Sequence, residues 1–539
     1  MKNLQTIPLI FGVTGHRDIK DTETVKSSVV SLLSKYKNTY KNTPLILLSA
    51  LADGGDMLVA EVAKELGFEL HVILPYEKEQ YLTTITNKEK FDEFVDYASK
   101  VITLNCTYVE KKEDDGRITK KYTHCYQQLG QYIVDTSNIL IALWDGEEEK
   151  ENNGGTAAIV RYQKEHFDES ENMFDSKDGN VIHIIPTVRM KNPDQDLDAL
   201  QRETKYLGRL DQESFEENLN KLELLNNDIV DYNKRLRNIY ISSMLNPLEQ
   251  YKKFFGMKAN RNQPKYRHLM VLMLALIGFA IIFLEMMHVF NGVDEMKSWA
   301  SHLIVGYFTL LGAAYYIYKR KMHTGKLQDD FIFSRGLSEA IRIQNAWNAV
   351  GLDKSVADYY LRSEPVKLTW IRMALKNIHY LDKSNYESEK DWIDGQVKYF
   401  KKEIENRDNN LENYEKSEHN LFLVGLVGVI VVFIWYILEI FHVVDHGHFP
   451  FNWHFVVLIS GIALLFAGFT KKFLFIQSYE EEKSSFEEVL PSFERAKKLL
   501  EESDVDRKRV VFDLGKKALM ENSQWVGLHD ARRAKFEME

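Results

Sequence analysis

Four long apolar stretches dominate the pattern of hydrophobic and polar positions along the chain. They cover 269–290, 299–318, 421–444 and 453–470. Each has 18 to 24 residues, and a helix needs about 20 residues to cross a hydrocarbon core of ~30 Å. They come in two close pairs with a short polar loop inside each pair. The pattern therefore predicts four transmembrane helices arranged as two hairpins.

The two predicted hairpins share a short motif. The first helix of each ends in Leu-Glu-x-x-His-Val, with Glu285 and His288 in one hairpin and Glu439 and His442 in the other. The second helix of each begins near a Trp and is followed by lysines. We therefore predict a duplicated two-helix membrane module.

A different pattern fills residues 1–190, where short continuous apolar runs alternate with helical periodicity. Such runs, bounded by Gly, Pro or Asp, are typical of buried parallel strands. Alternation of strand and helix predicts a Rossmann-like, doubly wound α/β head with a parallel sheet. The predicted strands are 8–14, 45–51, 69–75, 100–105, 138–144 and 181–187. The predicted helices are 22–38, 55–66, 87–97, 122–135 and 155–166, and the charged stretches 110–121 and 146–154 are predicted surface loops.

The rest of the chain has a helical pattern. Residues 195–260 are charged, with Leu and Ile at helical spacing, which predicts a stalk or coiled coil that enters the membrane at Pro264. The full predicted organisation is a ligand-sensing head at 1–190, a helical stalk or linker at 191–264, transmembrane hairpins at 265–320 and 419–472, a cytoplasmic helical segment at 321–418 and cytoplasmic C-terminal helices at 473–539.

Basic residues mark the predicted cytoplasmic side of the membrane. They lie before the first span, after the second and after the fourth: Lys258, Arg261, Lys265, Arg267, Lys319, Arg320, Lys321, Lys471 and Lys472. The loops 291–298 and 445–452 are not basic. Because Lys and Arg concentrate in cytoplasmic loops, we expect a four-span membrane protein with both termini in the cytoplasm. The N-terminus also lacks the pattern of a signal peptide.

Charge and cysteine content narrow the choice of partners and compartment. A net charge of −10 and a pI of about 6.0 argue against a nucleic-acid polymer as partner. The two cysteines, Cys106 and Cys125, fit a reducing compartment and predict no disulfide framework.

Three glycine-containing turns follow predicted strands of the head. The first strand opens into GVTGHRD (12–18), the second into ADGGD (52–56), and the fifth into Trp144-Asp145-Gly146 and then GGT (154–156) at the start of a helix. In doubly wound sheets, ligands bind at the carboxyl ends of the strands. Exposed backbone N–H groups at such turns and at helix N-termini bind anions. The sequence therefore predicts that the three turns form one ligand site.

Side chains at these turns supply matching chemistry. His16 and Arg17 would add positive charge toward a phosphate. Asp53 or Asp56 would accept from a ribose hydroxyl, or would cap the helix that follows. Asp145 and Gly146 stand at the end of the fifth strand and complete the set.

The order of these motifs along the chain resembles that of the SLOG superfamily. This is the Rossmann-like group that includes LOG phosphoribohydrolases and the DNA-processing protein A domain. The resemblance covers about residues 1–190 and rests on VTGHRD, SALADGGD, LPY and WDG…GGTA. It implies a nucleotide or nucleotide-derived ligand. The residues it places in the pocket are Gly12, Thr14, Gly15, Arg17, Gly54, Gly55, Gly154, Gly155 and Thr156. The hydrolytic members carry a catalytic Glu within two or three residues of the Gly-Gly-x-Gly-Thr motif, but the first acid after Thr156 is Glu165, which favours a sensor.

The membrane half resembles the SLATT group of two-helix membrane effectors, which accompany SLOG domains in bacterial conflict systems. The stretches SRGLSEAIRIQNAW (334–347) and ALMENSQWVGLHDARR (518–533) are similar to the helices expected after such hairpins. The resemblance implies that a nucleotide second messenger binds the head. The protein would then oligomerise or rearrange and permeabilise the inner membrane in antiviral defence.

The paired Glu-x-x-His motifs allow three interpretations. Glu285 with His288, and Glu439 with His442, share a helix face because they are three residues apart. They can form a polar ring at the outer mouth of a pore, or interfacial carboxyls bonded to their own histidines. A di-metal site is the third interpretation, but it needs an additional Glu from each partner helix, and 303–318 and 454–470 contain no acid.

Two enzymatic alternatives follow from these motifs. The head alone suggests a membrane-tethered nucleotide phosphoribohydrolase, and the Glu-x-x-His pairs suggest a metal-dependent membrane oxidoreductase. The preferred hypothesis is a non-catalytic sensor without a cofactor or metal. Its predicted partners are a small nucleotide-derived ligand, the lipid bilayer and further copies of the same chain.

Overall fold

The chain forms two compact units in a computed structural model. One unit is Met1–Leu248 with Lys354–Lys383, and the other is Glu249–Asp353 with Ser384–Glu539; we call them the head unit and the membrane unit. The structure describes residues 4–112, 118–148, 154–165, 181–195, 203–207, 210–236, 246–291, 297–323, 326–361, 368–441, 443 and 453–532.

A seven-stranded sheet lies at the centre of the head unit. In chain order the strands of the head are β1 (Leu9–Gly15), β2 (Leu45–Ser49), β3 (Glu69–Leu74), β4 (Lys100–Thr103), β5 (Val109–Lys112), β6 (Ile118–Lys121), β7 (Ile139–Trp144), β8 (Val181–Pro186) and β9 (Glu203–Tyr206). The sheet order is β4-β3-β2-β1-β7-β8-β9, and all neighbours are parallel except β8 and β9. This confirms the six predicted strands and the predominantly parallel sheet.

Three strands were not predicted. β5 and β6 form a separate antiparallel hairpin inside a stretch predicted as a loop, and β9 is an edge strand of sequence ETKY. None of these segments has a continuous apolar run, because an edge strand or an isolated hairpin need not bury both faces. The hydrophobic pattern therefore gave no indication of them.

Helices cover both faces of the sheet. The first seven are α1 (Thr22–Thr39), α2 (Gly55–Glu65), α3 (Lys78–Tyr81), α4 (Lys88–Tyr97), α5 (Thr123–Thr136), α6 (Thr156–Glu165) and α7 (Gln212–Leu236). Phe11 and Leu47 pack with α1 and α2 in one core, whereas Ile10 and Leu48 pack with α5 and α6 in the other. Successive strand residues thus point to opposite faces, and the doubly wound arrangement is confirmed, as are the five predicted helices.

The predicted stalk is docked on the head. Asn226 of α7 accepts from the Ile7 N–H (2.8 Å) and donates to the Ile7 carbonyl (2.8 Å). Asn233, two turns further on, bonds the N–H and the carbonyl of Leu4 in the same way. These side chains satisfy the backbone that leads into β1, and Leu222 and Ile229 of the same helix are buried. A helix is present as predicted, but α7 packs on the sheet instead of standing free.

The remaining helices are α8 (Pro247–Asn291), α9 (Lys297–Tyr316), α10 (Leu327–Ala349), α11 (Thr369–Leu381), α12 (Glu389–Ile440), α13 (Trp453–Gln477), α14 (Tyr479–Leu499) and α15 (Arg507–Ala531). All belong to the membrane unit except α11, which returns to the head. There Asn377 donates to the Pro8 carbonyl (2.7 Å) and pairs with Asn138. Tyr380 bonds His71 of β3.

Within the described part of the chain, four helices of the membrane unit are long and apolar enough to cross a membrane. They coincide with the four predicted spans, except that α12 ends at Ile440, before the predicted end at 444. Between 6 and 22% of each apolar window is buried within the chain. Surfaces this apolar and this exposed suit a lipid environment. The duplication of the hairpins stays a prediction. The helix α12 packs with α13, in part through Gly425 and Gly428 of the third span, and with α14; α10 packs with α15.

Candidate functional site

The candidate site lies where the order of the sheet reverses. From β1 the chain builds β2, β3 and β4 on one side, and then crosses to β7 and β8 on the other. Open α/β sheets bind ligands at such a switch point, outside the carboxyl ends of the strands. Here β1 ends at Gly15 and β7 at Trp144, with Gly15 paired to Leu143. The next residues, His16 and Asp145, therefore meet at the switch point.

His16 and Asp145 form a buried pair with unused hydrogen-bonding capacity. His16 Nε2 lies 3.0 Å from Asp145 Oδ1, and the side chains are buried, with residue exposures of 6% and 1%. The distance suits an ion pair, but His16 Nε2 and Asp145 Oδ2 have no hydrogen-bond partner within the described part of the chain. Buried polar atoms are normally satisfied. Two such atoms at a switch point indicate a place where a ligand or water would complete the bonding.

Backbone contacts fix the position of this pair. The His16 N–H donates to the Leu143 carbonyl (3.2 Å), and the His16 carbonyl accepts from the Gly55 N–H (2.9 Å). Asp145 Oδ1 accepts from the Glu147 N–H (3.1 Å). Burial lowers the pKa of His16, although Asp145 acts to raise it. The imidazole is therefore neutral near pH 7 and can either donate or accept a hydrogen bond.

Arg189 brings a cation to the same place and was not predicted. It follows β8, and its Nε donates to Asp18 Oδ1 (2.8 Å) while Nη1 lies 3.7 Å from Asp145 Oδ2. Burial raises the pKa of Asp18, but the hydrogen bond from Arg189 outweighs it and lowers that pKa. Gln195 adds a hydrogen bond from its Nε2 to the Asp145 carbonyl (2.9 Å). The strand-end rule used for the other turns, applied to the sixth predicted strand, would have indicated Arg189.

The first two glycine turns contact each other directly. A Cβ on Gly15 would lie 2.9 Å from the Gly55 Cα, and a Cβ on Gly54 would lie 2.4 Å from the Arg17 carbonyl oxygen. Gly54 also has φ of +81°, a conformation that only glycine adopts without cost. These glycines allow the turn after β1 to pack against the N-terminus of α2. Their presence is thus explained by backbone packing, which holds both turns at the site.

The acidic residues of the second turn have structural partners. Asp53 Oδ2 accepts from the Thr86 N–H and hydroxyl, both at 2.9 Å, so it fixes the segment before α4. Asp56 is buried in the first turn of α2, and burial raises its pKa to about 7 against the lowering effect of Arg17. Arg17 itself is exposed and donates from Nη1 to the Thr84 carbonyl (2.9 Å).

The third turn packs on α5. A Cβ on Gly154 would lie 2.9 Å from both the Thr123 carbonyl oxygen and Tyr126 Cβ. The Gly155 carbonyl accepts from the Ile159 N–H (3.1 Å), and Thr156 is the buried first residue of α6. Gly146, directly after Asp145, has φ of +80°.

Two of the predicted site residues, Gly12 and Thr14, lie in β1 before its last residue. A Cβ on Gly12 would lie 2.6 Å from Ile133 Cγ2 and 3.0 Å from Ser137 Oγ, so Gly12 allows α5 to approach the strand and faces the core. Thr14 pairs with Ala142 one residue before the carboxyl end and is partly exposed. The candidate site at the switch point therefore consists of His16 and Asp145, and Gly15, Gly54 and Gly55 help to position them.

The membrane polar residues lie on exposed or partly exposed helix surface. Glu285 and His288 are exposed on α8, and His288 Nδ1 lies 3.4 Å from the Leu284 carbonyl oxygen of its own helix. Glu439 is partly exposed on α12, and His442 lies outside the described residues. Within the described ranges these residues form no group of three or more possible metal ligands; Cys106, His124 and Cys125 do.

The two cysteines correct an expectation from the sequence. Cys106, just after β4, and Cys125, in the first turn of α5, are joined in a disulfide. The prediction of no disulfide was wrong because the chain between them folds back as the β5–β6 hairpin, which brings residues 19 apart in sequence together.

Comparison with known proteins does not assign this chain to a family. No protein-family model matches the chain, and no curated protein matches its sequence.

Proposed function

We propose that the head binds a small, phosphorylated, nucleotide-derived ligand at the β1–β7 switch point and that the membrane unit responds to it. The observation that carries this proposal is the buried His16–Asp145 pair, whose Nε2 and Oδ2 atoms have no hydrogen-bond partner among the described residues. A ligand group seated between the turns would supply the missing donors and acceptors.

The chemistry of the surrounding groups favours a phosphorylated sugar. Arg17 and Arg189 provide guanidinium groups, which match the geometry of phosphate oxygens. Asp145 Oδ2 is an acceptor suited to a ribose hydroxyl. A switch point that offers two nearby guanidinium groups and one buried acceptor therefore fits a nucleotide-derived molecule better than a simple apolar ligand.

Binding is favoured over hydrolysis. The rim carboxyl with a raised pKa, Asp56, accepts hydrogen bonds from the backbone of Ala52, Gly15 and Ala50. A general acid must reach the leaving group, and Asp56 is held by the protein instead. The phosphoribohydrolase alternative remains testable as release of free base from nucleoside monophosphates by the purified protein.

The connectivity supports coupling between ligand and membrane. The chain passes between the head unit and the membrane unit three times, at 248–249, 353–354 and 383–384. The inserted helix α11 is fastened to the head by Asn377, which donates to the Pro8 carbonyl, and by Tyr380, which bonds His71. Any movement of the head on ligand binding would therefore act on the chain before the first span, after the second and before the third.

The proposed output is permeabilisation of the membrane by an oligomer. The four apolar helices carry exposed polar residues, Glu285 and His288 among them. Polar groups on a membrane helix are stabilised when they face a bundle interior or water, and neighbouring copies of the chain would provide such a surface. The resemblance to SLOG and SLATT proteins would place this activity in antiviral defence.

The test uses the full-length protein in dye-loaded liposomes. Cyclic dinucleotides, ADP-ribose derivatives and nucleoside monophosphates are added in turn, and both ligand binding and dye release are measured. We expect one class to bind and to release dye. Arg189→Gln should weaken binding at least tenfold, whereas Arg235→Gln, at an exposed site on α7, should leave it unchanged. Binding without dye release would rule out the proposed membrane response. If no class of nucleotide binds, the whole proposal is ruled out.

A further inference from the structure

The disulfide of the head lies at the carboxyl ends of the strands, and the first turn of α5 connects it to the third glycine turn of the candidate site. Cys106 follows β4, and its N–H donates to the Pro75 carbonyl after β3 (3.2 Å). Cys125 is fully buried in the first turn of α5. Thr123 and Tyr126 of that same turn are the residues against which Gly154 packs.

Aromatic side chains pack together beside the first turn of α5. The Tyr76 and Tyr126 hydroxyls are hydrogen-bonded (2.8 Å), and the Tyr76 and Tyr122 rings lie 4.7 Å apart. The link between Cys106 and Cys125 encloses β5 and β6 and joins the end of β4 to the start of α5. Its formation therefore restrains the turn of α5 on which the third glycine turn rests.

We propose that Cys106 and Cys125 are a reversible thiol–disulfide modification site whose reactants are low-molecular-weight disulfides such as glutathione disulfide. The basic flanks of the spans predict a cytoplasmic head, and cytoplasmic disulfides are usually transient or redox-sensing. Cys106 is partly exposed while Cys125 is buried, which gives the two sulfurs different roles.

The exchange balances in two steps. The Cys106 thiolate attacks the disulfide R–S–S–R, forms a mixed disulfide and releases one R–S⁻, which takes up the proton that Cys106 lost. The Cys125 thiolate then attacks the Cys106 sulfur, forms the internal disulfide and releases the second R–S⁻, which is protonated in turn. Two protein thiols are oxidised by two electrons, and one R–S–S–R is reduced to two R–SH.

His124 provides the competing interpretation. Its Nε2 lies 3.5 Å from Cys125 Sγ, and Cys106, His124 and Cys125 are close enough to hold a metal ion. Reduced thiolates with one His would form a three-ligand zinc site. The two interpretations differ in what the reduced protein contains, so metal analysis separates them.

The test equilibrates the full-length protein in nanodiscs with glutathione and glutathione disulfide in varied ratio. Free thiols are trapped by alkylation and counted by intact mass. We expect conversion from the dithiol to the internal disulfide as the ratio changes, and slower hydrogen exchange in peptides of 118–130 and 154–165 when oxidised. Cys106→Ser should exchange like the reduced protein at every ratio. Its thermal unfolding, compared with that of the reduced protein, reports whether it folds.

Three outcomes would overturn the proposal. A bond that resists excess reduced glutathione in the folded protein is a structural disulfide, and thiols that stay free in excess glutathione disulfide are not a redox pair. One zinc per reduced chain, lost in His124→Gln, makes the cluster a metal site. The effect on the ligand rests on the function proposed above: a tenfold or greater difference in nucleotide affinity between the two redox states is expected. If no nucleotide binds, the thiol counts still decide the redox proposal alone.

Discussion

A histidine and a carboxylate that are both buried lie side by side in each unit of this protein, His16 with Asp145 in the head and His529 with Glu482 in the membrane unit, and these two pairs are built differently. In the head, His16 Nε2 lies 3.0 Å from Asp145 Oδ1, and two side-chain atoms of the pair have no hydrogen-bond partner among the described residues. In the membrane unit, His529 Nε2 lies 3.3 Å from Glu482 Oε1. Both oxygens of Glu482 are occupied: Oε2 by Arg407 Nε (2.5 Å) and Oε1 by Trp525 Nε1 (2.7 Å).

The difference separates the proposed binding site from a structural joint, by which we mean a buried contact that holds helices together. Glu482 of α14 joins α12 through Arg407 and α15 through Trp525, and His529 Nδ1 donates to the Trp525 carbonyl (2.9 Å). No capacity is left for a ligand there. Burial raises the pKa of Glu482, but the hydrogen bond from His529 and the charge of Arg407 lower it to about 2. A carboxylate with both oxygens bonded in this way holds helices together, whereas Asp145 has one oxygen that could still bond a ligand.

The largest expected effect comes from Glu482→Gln. The change removes the carboxylate that Arg407 Nε contacts at 2.5 Å and leaves Arg407 its longer contact with Glu403 (3.3 Å). Breaking a buried pair costs about 3–5 kcal/mol, and we expect an effect toward the lower end of that range. Hydrogen exchange of α14 and α15 peptides in the nanodisc-embedded protein should accelerate accordingly. Because the folded-state pKa of Glu482 lies below the ordinary value of 4.5, its contribution is present above pH 4.5 and is lost as pH falls toward 2.

A matched control lies on the same helix. Glu488 is exposed on α14, so Glu488→Gln removes an equal charge at an exposed position and should change exchange rates little. Equal effects of Glu482→Gln and Glu488→Gln would show that the buried joint does not stabilise the membrane unit.

The next effect is a pH dependence confined to the head. Burial raises the pKa of Asp56 to about 7 from 3.8, so the folded head retains a proton that the unfolded chain has released. The stability this provides is complete below about pH 4 and is lost as pH rises through 7. Between pH 5.5 and 8, the head should lose about 2 kcal/mol by hydrogen exchange of β1 and β2 peptides, corrected for intrinsic rates.

Asp56→Asn should flatten that profile because no proton is left to titrate, and Asp96→Asn, at an exposed position of α4, should keep it. A head equally stable at both pH values in the unmodified protein would mean that Asp56 is ionised throughout. In the membrane unit the corresponding titration of Glu482 lies at lower pH, so the two units should respond to pH in separate windows.

The fold of the head was largely predictable because its strands are short apolar runs. All six predicted strands and the five predicted helices are confirmed, since most of these strands are buried and parallel and have a continuous apolar composition. The docking of α7 and α11 was not predictable. It depends on asparagines such as Asn226 and Asn377 that satisfy backbone groups more than 200 residues away in sequence, and a periodic pattern does not indicate which surface a helix will cover.

The candidate site was predicted in position but not in composition. The strand-end rule located His16 and Asp145, but the predicted set also included Gly12 and Asp53, whose surroundings are explained by packing against Ile133 and by bonding to Thr86. The rule was applied only to strands followed by glycines, so Arg189, which has no neighbouring glycine, was not predicted. Which buried atoms lack partners depends on three-dimensional distances, and those are absent from the sequence.

The smallest effect on stability, and the most decisive for function, is expected from Asp145→Asn. An Asn at this position keeps an oxygen for the Glu147 N–H, and its amide nitrogen replaces Oδ2, which has no hydrogen-bond partner among the described residues, so the head should lose less than about 1 kcal/mol. Ligand affinity should nevertheless fall at least tenfold, because a charge-assisted hydrogen bond contributes about 1.5–3 kcal/mol. Titration of the unmodified protein and of the variant with the nucleotide class that binds measures the loss of affinity, which is then compared with the loss of stability. If Asp145→Asn destabilises the head as strongly as Glu482→Gln destabilises the membrane unit, then Asp145 is a structural joint as well, and the contrast between the two histidine–carboxylate pairs disappears.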